Sequence, residues 1–198
     1  MPAGLTNLQL PCYNHMYHVS GKEGSDVNRI LIGNLISACA SGCLAASCVV
    51  NDKKRAYFFQ MMESLLLTVS ACFFGVWSSM STQAIGTVRN GLVMKEKFST
   101  PLMILCTVLT TVIGVAVNNR GLIGLIPVAA TVQLTLCNYF VKSLRGVKLS
   151  FLINVILWTI YSYCILDIAY GTASAVIGVL TVISLIRLVR KEKTEQTV

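Results

Sequence analysis

The chain has 198 residues, of which 55% are hydrophobic and only 12% are charged, and its mean hydropathy is +0.70. Soluble domains carry roughly 25% charged residues, so this composition excludes an ordinary water-soluble globule and leaves no room for a soluble catalytic domain. The formal net charge of +8 does not indicate nucleic acid, because Lys and Arg held in cytoplasmic loops give a membrane protein the same excess.

Residues 1–27 are polar and nearly neutral, and they lack the basic and apolar regions of a cleavable signal peptide. We therefore predict that they form an extracytoplasmic N-terminal tail. Cys12, His15 and His18 lie in it at three-residue spacing, which fits either a plain tail or a soft-metal site, and we favour the plain tail. The other cysteines lie in apolar segments and form no CxxC pair, so we expect no redox chemistry.

Seven apolar segments follow the tail, and each predicts a helix that crosses the bilayer, which takes about 20 apolar residues. The predicted helices are Asn28–Val50, Ala56–Ser79, Met80–Met94, Thr100–Asn118, Gly121–Val141, Leu149–Asp167 and Ala169–Val189. The third segment is short, about 15 residues, and it contains polar and charged side chains. Its hydropathy alone therefore does not establish it as a span.

The distribution of basic residues supports the third span. If all seven segments cross, thirteen of the sixteen Lys and Arg fall on one side, within 53–55, 89–97, 142–148 and 187–193. Only Lys22, Arg29 and Arg120 fall on the other side. Because basic loops are retained in the cytoplasm, we predict an N-terminus outside and a cytoplasmic C-terminus.

The two halves of the chain have the same order of basic and uncharged loops. In each half the first helix ends in a basic loop, the second in an uncharged turn and the third in another basic loop. Two parallel repeats of odd length need a linker helix between them. We therefore predict a first three-helix unit at 28–98, a linker helix at 99–120, a second three-helix unit at 121–190 and a cytoplasmic tail at 191–198.

A set of short motifs adds a resemblance over most of the chain. Its members are Gly75 and Trp77 at the second turn, Ile85 to Arg89, Leu125 to Val128, Trp158, Tyr170-Gly171 and Ile186-Arg187. In order and spacing they resemble the YgjV-type bacterial inner-membrane proteins, which are grouped with the SWEET and PQ-loop transporters. The resemblance implies an all-α membrane protein of the bacterial inner membrane, with seven transmembrane helices in a SWEET-like 3+1+3 parallel repeat. It also implies a solute path between the two units.

Some features of SWEET-like proteins are missing. These proteins place a proline in the first helix of each unit, and here the fifth span has Pro127 but the first span has none. They also place an asparagine on the third helix of each unit. Gly86 occupies that place in the first unit, Asn90 comes a turn later, and the seventh span offers only Thr181 and Ser184. The resemblance therefore does not imply sugar recognition.

Glu63 and Arg89 are the charged residues that are predicted to lie deepest in the bilayer. Counted from the basic loops, they lie at similar depths on helices that form a hairpin. Because an unpaired charge there is costly, we predict an ion pair between them. The pair fits either a structural contact or a gating, proton-coupled role.

Further polar and aromatic side chains fall within the predicted spans, and each needs a partner or a role. Together with Glu63 they predict a substrate path made of Asn34, Gln60, Gln83, Asn90, Gln133, Asn138, Asn154, Trp158 and Tyr161. Each of them also fits an ordinary contact between helices. Pro127 is predicted to kink the fifth helix, because its ring removes one backbone hydrogen bond.

These features favour a transporter or facilitator of a small solute, working by alternating access between the two units. The alternative is a membrane scaffold, assembly factor or sensor whose polar residues only join helices. An enzyme is not expected, because the spans contain no histidine and Glu63 is the only deep carboxylate. We expect the lipid bilayer and an unidentified small solute as partners, no nucleic acid, no cofactor and no metal. The sequence is compatible with a homo-oligomer, and the oligomeric state stays open.

Overall fold

The computed structural model describes residues 23–50, 53–141 and 143–195, and the regular structure in these ranges is entirely helical. Seven α-helices follow one another: α1 Glu23–Val49, α2 Lys53–Phe74, α3 Trp77–Met94, α4 Thr100–Ala116, α5 Ile126–Phe140, α6 Leu144–Cys164 and α7 Ile168–Glu195. A 3₁₀ turn at Ile123–Leu125 leads into α5. The described helices therefore confirm the predicted all-α class and the predicted number of seven helices. Cys12, His15 and His18 lie outside the described residues.

Four of the described helices are long and apolar enough to cross a membrane. They cover Val27–Cys48, Lys54–Phe74, Ile123–Phe140 and Ile168–Arg190. Thr100–Ala116 and Lys148–Cys164 are apolar but shorter. Helix α3 has 18 residues but buries Gln83, Arg89 and Asn90, so its polar content keeps it outside this group.

The junction between α2 and α3 differs from the prediction. Helix α2 ends at Phe74 rather than Ser79, because Gly75 takes a left-handed conformation with φ +64°. The N–H of Val76 donates to the Ala71 carbonyl and that of Gly75 to the Cys72 carbonyl, which is the Schellman arrangement. Helix α3 therefore begins early, at Trp77, and is longer than predicted.

The predicted kink at Pro127 is wrong. Pro127 is the second residue of α5, and the 3₁₀ turn ends directly before the helix, with the Ile126 N–H donating to the Ile123 carbonyl. A residue in the first turn of a helix has no intrahelical acceptor for its N–H. Pro127 therefore removes no hydrogen bond from the helix interior, and it starts the helix instead of bending it.

Six of the helices form a closed ring. Helix α1 packs on α2 and α2 on α3, while α5 packs on α6 and α6 on α7. The ring closes through contacts of α1 with α7 and of α3 with α5. Helix α4 lies outside the ring, against α3 and α5. We call the end of the ring at which α2 and α6 begin the basic end, because Lys54, Arg55, Arg145 and Lys148 lie there.

Helix α4 approaches the ring through Gly114. A Cβ atom on Gly114 would lie 2.6 Å from Cγ2 of Val128 and 3.2 Å from Cγ2 of Thr82. Gly114→Ala is therefore expected to lower the free energy of unfolding by about 1–3 kcal/mol, because the branched valine cannot move aside freely. Thermal unfolding of the purified protein in detergent measures the change.

Two further variants test this explanation. Val128→Ala removes the clashing methyl groups, so the double variant should lose less stability than the two single changes add up to. Gly42→Ala is the matched control, since a Cβ there meets nothing within 4 Å. Equal stability of the Gly114→Ala protein and the unchanged protein would contradict the close contact of α4 with the ring.

Candidate functional site

The ring encloses a cavity of about 680 Å³. All six ring helices contribute to its wall, and α4 contributes none of the residues that line it. The cavity reaches Lys148 and Ser184, which lie toward the basic end of α6 and α7. Most of the predicted path lines this cavity: Gln60, Glu63, Gln83, Asn90, Asn138, Asn154 and Trp158. Arg89 lines it as well.

Arg89 is buried in the cavity wall, with 5% of its surface exposed. Its Nη1 donates to Oγ1 of Thr135 at 2.8 Å, and its Nε and Nη2 donate to Oδ1 of Asn90 at 3.3 and 3.1 Å. Asn90 in turn donates to the Gln60 carbonyl at 3.2 Å and to Oγ of Ser64 at 3.3 Å. The guanidinium therefore connects α3 to α5, and Asn90 connects α3 to α2.

Glu63 accepts a hydrogen bond of 2.7 Å at Oε1 from the hydroxyl of Tyr170. The predicted ion pair between Glu63 and Arg89 is thus not formed, since Thr135 and Asn90 bind the guanidinium and Tyr170 binds the carboxylate. The two charged groups still face one cavity. Thr135 and Tyr170 lie on α5 and α7, which the argument from the α2–α3 hairpin does not include.

The amides on α5 and α6 divide between the cavity and the packing of helices. Gln133 donates to Oγ of Ser150 at 2.8 Å and is not part of the cavity wall, so it joins α5 to α6 rather than lining a path. Asn154 lines the cavity and also donates to the Ala130 carbonyl at 2.7 Å. Lys148 donates to Oγ of Ser184 at 2.6 Å, which joins α6 to α7 near the basic end.

An aromatic layer separates the cavity from the opposite end of the ring. The ring of Trp158 lies edge-to-face with those of Tyr161 and Tyr170, with centroids 5.7 and 6.4 Å apart. Trp158 and Tyr170 line both the cavity and a much smaller void beyond it. Tyr161 lines only that void, so the prediction that it faces the path is wrong. The three rings pack against one another, and Trp158 and Tyr170 also present surface to the cavity.

Beyond the aromatic layer, the turn between α6 and α7 is buried against α1. Leu166 in this turn is left-handed, with φ +63°. The side chain of Asn34 donates to the Leu166 carbonyl at 3.1 Å and accepts from the Ala169 N–H at 3.0 Å. Asn34 is therefore not part of the cavity wall, and it holds the turn instead of lining a path.

Asp167 lies in the same turn, only 4% exposed, and sequence reasoning missed it. Its Oδ1 accepts from the Tyr170 N–H at 3.1 Å, which is the contact of a helix N-cap. An Asp directly before an apolar helix is a start signal that would have placed it. The described residues contain no cluster of three or more His, Cys, Asp or Glu that could hold a metal ion.

The comparisons with known proteins give one match. The sequence model of the Imp-YgjV family, described as bacterial inner membrane protein, matches residues 31–194, which include parts or all of every helix from α1 to α7. Neither the curated proteins nor the solved structures gave a match. The apolar helices agree with this match, and the chain belongs to the Imp-YgjV family of bacterial inner membrane proteins.

Proposed function

We propose that the protein carries a small hydrogen-bonding solute across the bacterial inner membrane by alternating access between two three-helix units. The observation that carries this proposal is the polar cavity inside the ring, of about 680 Å³, with Glu63 and Arg89 in its wall. A cavity of this size holds a metabolite and is larger than helix packing requires.

The pattern of helix contacts supports a repeat of two units. The contacts α1–α2 and α2–α3 within the first unit correspond to α5–α6 and α6–α7 within the second. The contacts between the units correspond as well, because the first helix of each unit packs on the third helix of the other, α1 on α7 and α5 on α3. Helix α4 stands outside this correspondence, as a linker would. We therefore assign residues 28–98 and 121–190 to the two units and 99–120 to the linker.

The basic residues give the proposed orientation. With the basic end in the cytoplasm, the N-terminus lies outside and the C-terminus inside. The cavity then extends toward the cytoplasm, and the aromatic layer separates it from the outside. This arrangement corresponds to an inward-facing state of a carrier, and no enzymatic step is part of the proposal.

The wall chemistry indicates the class of solute. It combines one carboxylate, one guanidinium and the Lys148 ammonium with several amides, around apolar surface from residues such as Trp158. Amides and separated charges of both signs suit a solute that is neutral or zwitterionic and rich in hydrogen-bonding groups. A scaffold would explain contacts such as Gln133 with Ser150, but it would leave the cavity without a role.

A blocking variant tests the proposal. Gly86 lines the cavity, and the nearest atoms to a Cβ built there lie 3.8 Å away, so Gly86→Phe should insert a ring into the cavity without a backbone clash. We expect a metabolite panel to contain a compound that raises the thermal midpoint of the unchanged protein. Uptake of that compound into liposomes should fall at least tenfold in the Gly86→Phe variant.

Gly42→Phe is the matched control, because position 42 is exposed on α1 and away from the cavity. It should retain uptake at the level of the unchanged protein. No stabilising compound and no uptake across a broad panel would refute the transporter. Full uptake by a folded Gly86→Phe protein would show that the solute does not pass through this cavity.

A further inference from the structure

Three short oxygen–oxygen contacts join α1, α2 and the turn between α6 and α7, beyond the aromatic layer. Oδ2 of Asp167 lies 2.7 Å from Oγ of Ser37, and Oγ of Ser37 lies 2.7 Å from Oγ of Ser70. Oγ of Ser70 lies 3.0 Å from the carbonyl oxygen of Gly33. We call Ser37, Ser70 and Asp167 the Asp167 cluster.

The hydrogens of this chain can be counted. Each of the three contacts needs one hydrogen to be a hydrogen bond, and the two serine hydroxyls supply only two. The Gly33 carbonyl can only accept, so the hydrogen of Ser70 goes to it. The hydrogen of Ser37 then goes to Ser70, and the contact between Ser37 and Asp167 has no hydrogen unless the carboxyl group supplies one.

We propose that Asp167 is a proton-binding site, and that its bound proton completes the hydrogen-bond chain from the α6–α7 turn through Ser37 and Ser70 to Gly33. The carboxylic acid donates to Ser37, Ser37 to Ser70, and Ser70 to the carbonyl. An ionised carboxylate would instead leave one pair of oxygens in contact without a hydrogen between them, or force one hydroxyl hydrogen to be shared by two acceptors.

The surroundings of Asp167 also favour the neutral acid. Ser37 is 0% and Ser70 1% exposed, so water does not reach the chain along them. Among the residues that the structure describes, Oδ1 accepts from the Tyr170 N–H alone, and no basic side chain donates to the carboxyl group. A buried carboxylate without a cation is costly, and binding a proton removes that cost.

The titratable and charged groups around Asp167 supply no counter-charge. Helix α6 contributes Tyr161, and α7 contributes Tyr170. Glu63, on α2, is reached only through the hydroxyl of Tyr170. The guanidinium of Arg120, in the loop after α4, donates to the Phe74 carbonyl. Arg29 on α1 is exposed.

The position of the Asp167 cluster gives the proton a role in transport, and this step rests on the proposed function. The cluster joins the first unit to the second at the end where the cavity is closed. Alternating access has to separate Ser37 from Asp167 when that end opens. The exposed acid then releases its proton to water as it becomes a carboxylate, and it takes up a proton again when the end closes. The proton is therefore bound in one state and released in the other.

Infrared spectroscopy tests the site directly. The carbonyl stretch of a protonated carboxyl group absorbs at a different frequency from the stretches of a carboxylate. Its frequency shifts when the acid hydrogen is exchanged for deuterium in heavy water. We expect the full chain in lipid nanodiscs to show this band at neutral pH and the Asp167→Asn variant to lose it. Glu63→Gln is the control, because Glu63 is the other buried carboxyl group in the described part of the chain that could give such a band. This variant should keep the band that Asp167→Asn loses. A spectrum in which Asp167→Asn removes no such band would overturn the proposal.

A second variant covers the case in which Asp167→Asn does not fold. Ser37→Ala removes the acceptor of the acid hydrogen, so the protonated band should disappear at a lower pH than in the unchanged protein. An unchanged titration of the band would contradict the hydrogen-bond chain.

Uptake separates this proposal from the transporter itself. With a solute in hand, a pH gradient should drive uptake by the unchanged protein and should have no effect on the Asp167→Asn protein. If the infrared band of protonated Asp167 is present but no uptake occurs, the proton site is supported and the proposed transport is refuted. If uptake occurs but the band is absent, transport is supported and the proton site is refuted.

Discussion

Replacing Arg89 by leucine is expected to lower the free energy of unfolding by about 3 kcal/mol or more, the largest stability change we predict in the cavity wall. The guanidinium makes three hydrogen bonds, to Thr135 and Asn90, and it is almost fully buried. Leucine makes none of them and removes the positive charge that faces the same cavity as Glu63. Titration with SDS in mixed micelles measures the loss.

Two further variants separate charge from geometry. Arg89→Lys keeps the charge but presents an ammonium in place of a planar guanidinium, so it should recover only part of the loss. Combining Arg89→Leu with Glu63→Gln removes both charges, and the double variant should be more stable than the two single effects predict. Strict additivity would mean that the two groups do not interact across the cavity.

Replacing Asn34 by leucine is expected to cost about 2–4 kcal/mol of unfolding free energy, because two partly buried backbone groups of the α6–α7 turn lose their partner. These groups are the Leu166 carbonyl and the Ala169 N–H. In the described ranges no other side chain forms a hydrogen bond with either of them. Thermal unfolding in detergent and protection of the Ala169 amide from hydrogen exchange both measure the effect.

Asn34→Asp and Ser41→Ala complete this experiment. Aspartate keeps an acceptor for the Ala169 N–H but loses the donor to Leu166, so the exchange protection of Ala169 should survive while stability still falls. Ser41 lies on the same helix, and its hydroxyl donates to the Ser37 carbonyl of that helix, so its replacement by alanine should be nearly neutral. Equal effects of Asn34→Leu and Ser41→Ala would rule out the bridging role of Asn34.

The positions of the helices could be predicted from the sequence because lipid leaves few alternatives for apolar segments of this length. Helix α4 begins at Thr100 and α3 ends at Met94, as predicted. The predicted boundary between α2 and α3 lies about five residues too late along the chain, because hydropathy does not change at Gly75. The left-handed glycine marks the boundary, and the uncharged Gly75–Trp77 turn was its visible signal.

The direct partners in the site could not be predicted in the same way. Depth along a helix follows from counting residues, but the direction of a side chain depends on which helices are neighbours. The predicted ion pair of Arg89 with Glu63 depends on their helices being consecutive. In the structure, Thr135 on α5 binds Arg89 and Tyr170 on α7 binds Glu63, and both of these helices are distant in sequence. Asn34 is assigned to the path because it is a polar residue within a predicted span, and only the packing of α1 against the α6–α7 turn shows which groups its amide meets.

Tyr170 contacts both buried carboxyl groups, through two different parts of one residue. Its backbone N–H donates to Asp167 and its phenol hydroxyl to Glu63. The contact with Asp167 lies within the first turn of α7, so it moves with the turn and is kept when the turn is displaced. Among the contacts from this turn to other helices are those of the Tyr170 hydroxyl with Glu63 on α2 and of Asp167 with Ser37 on α1. One displacement of the turn therefore changes the surroundings of both carboxyl groups, the one in the cavity and the one behind the aromatic layer.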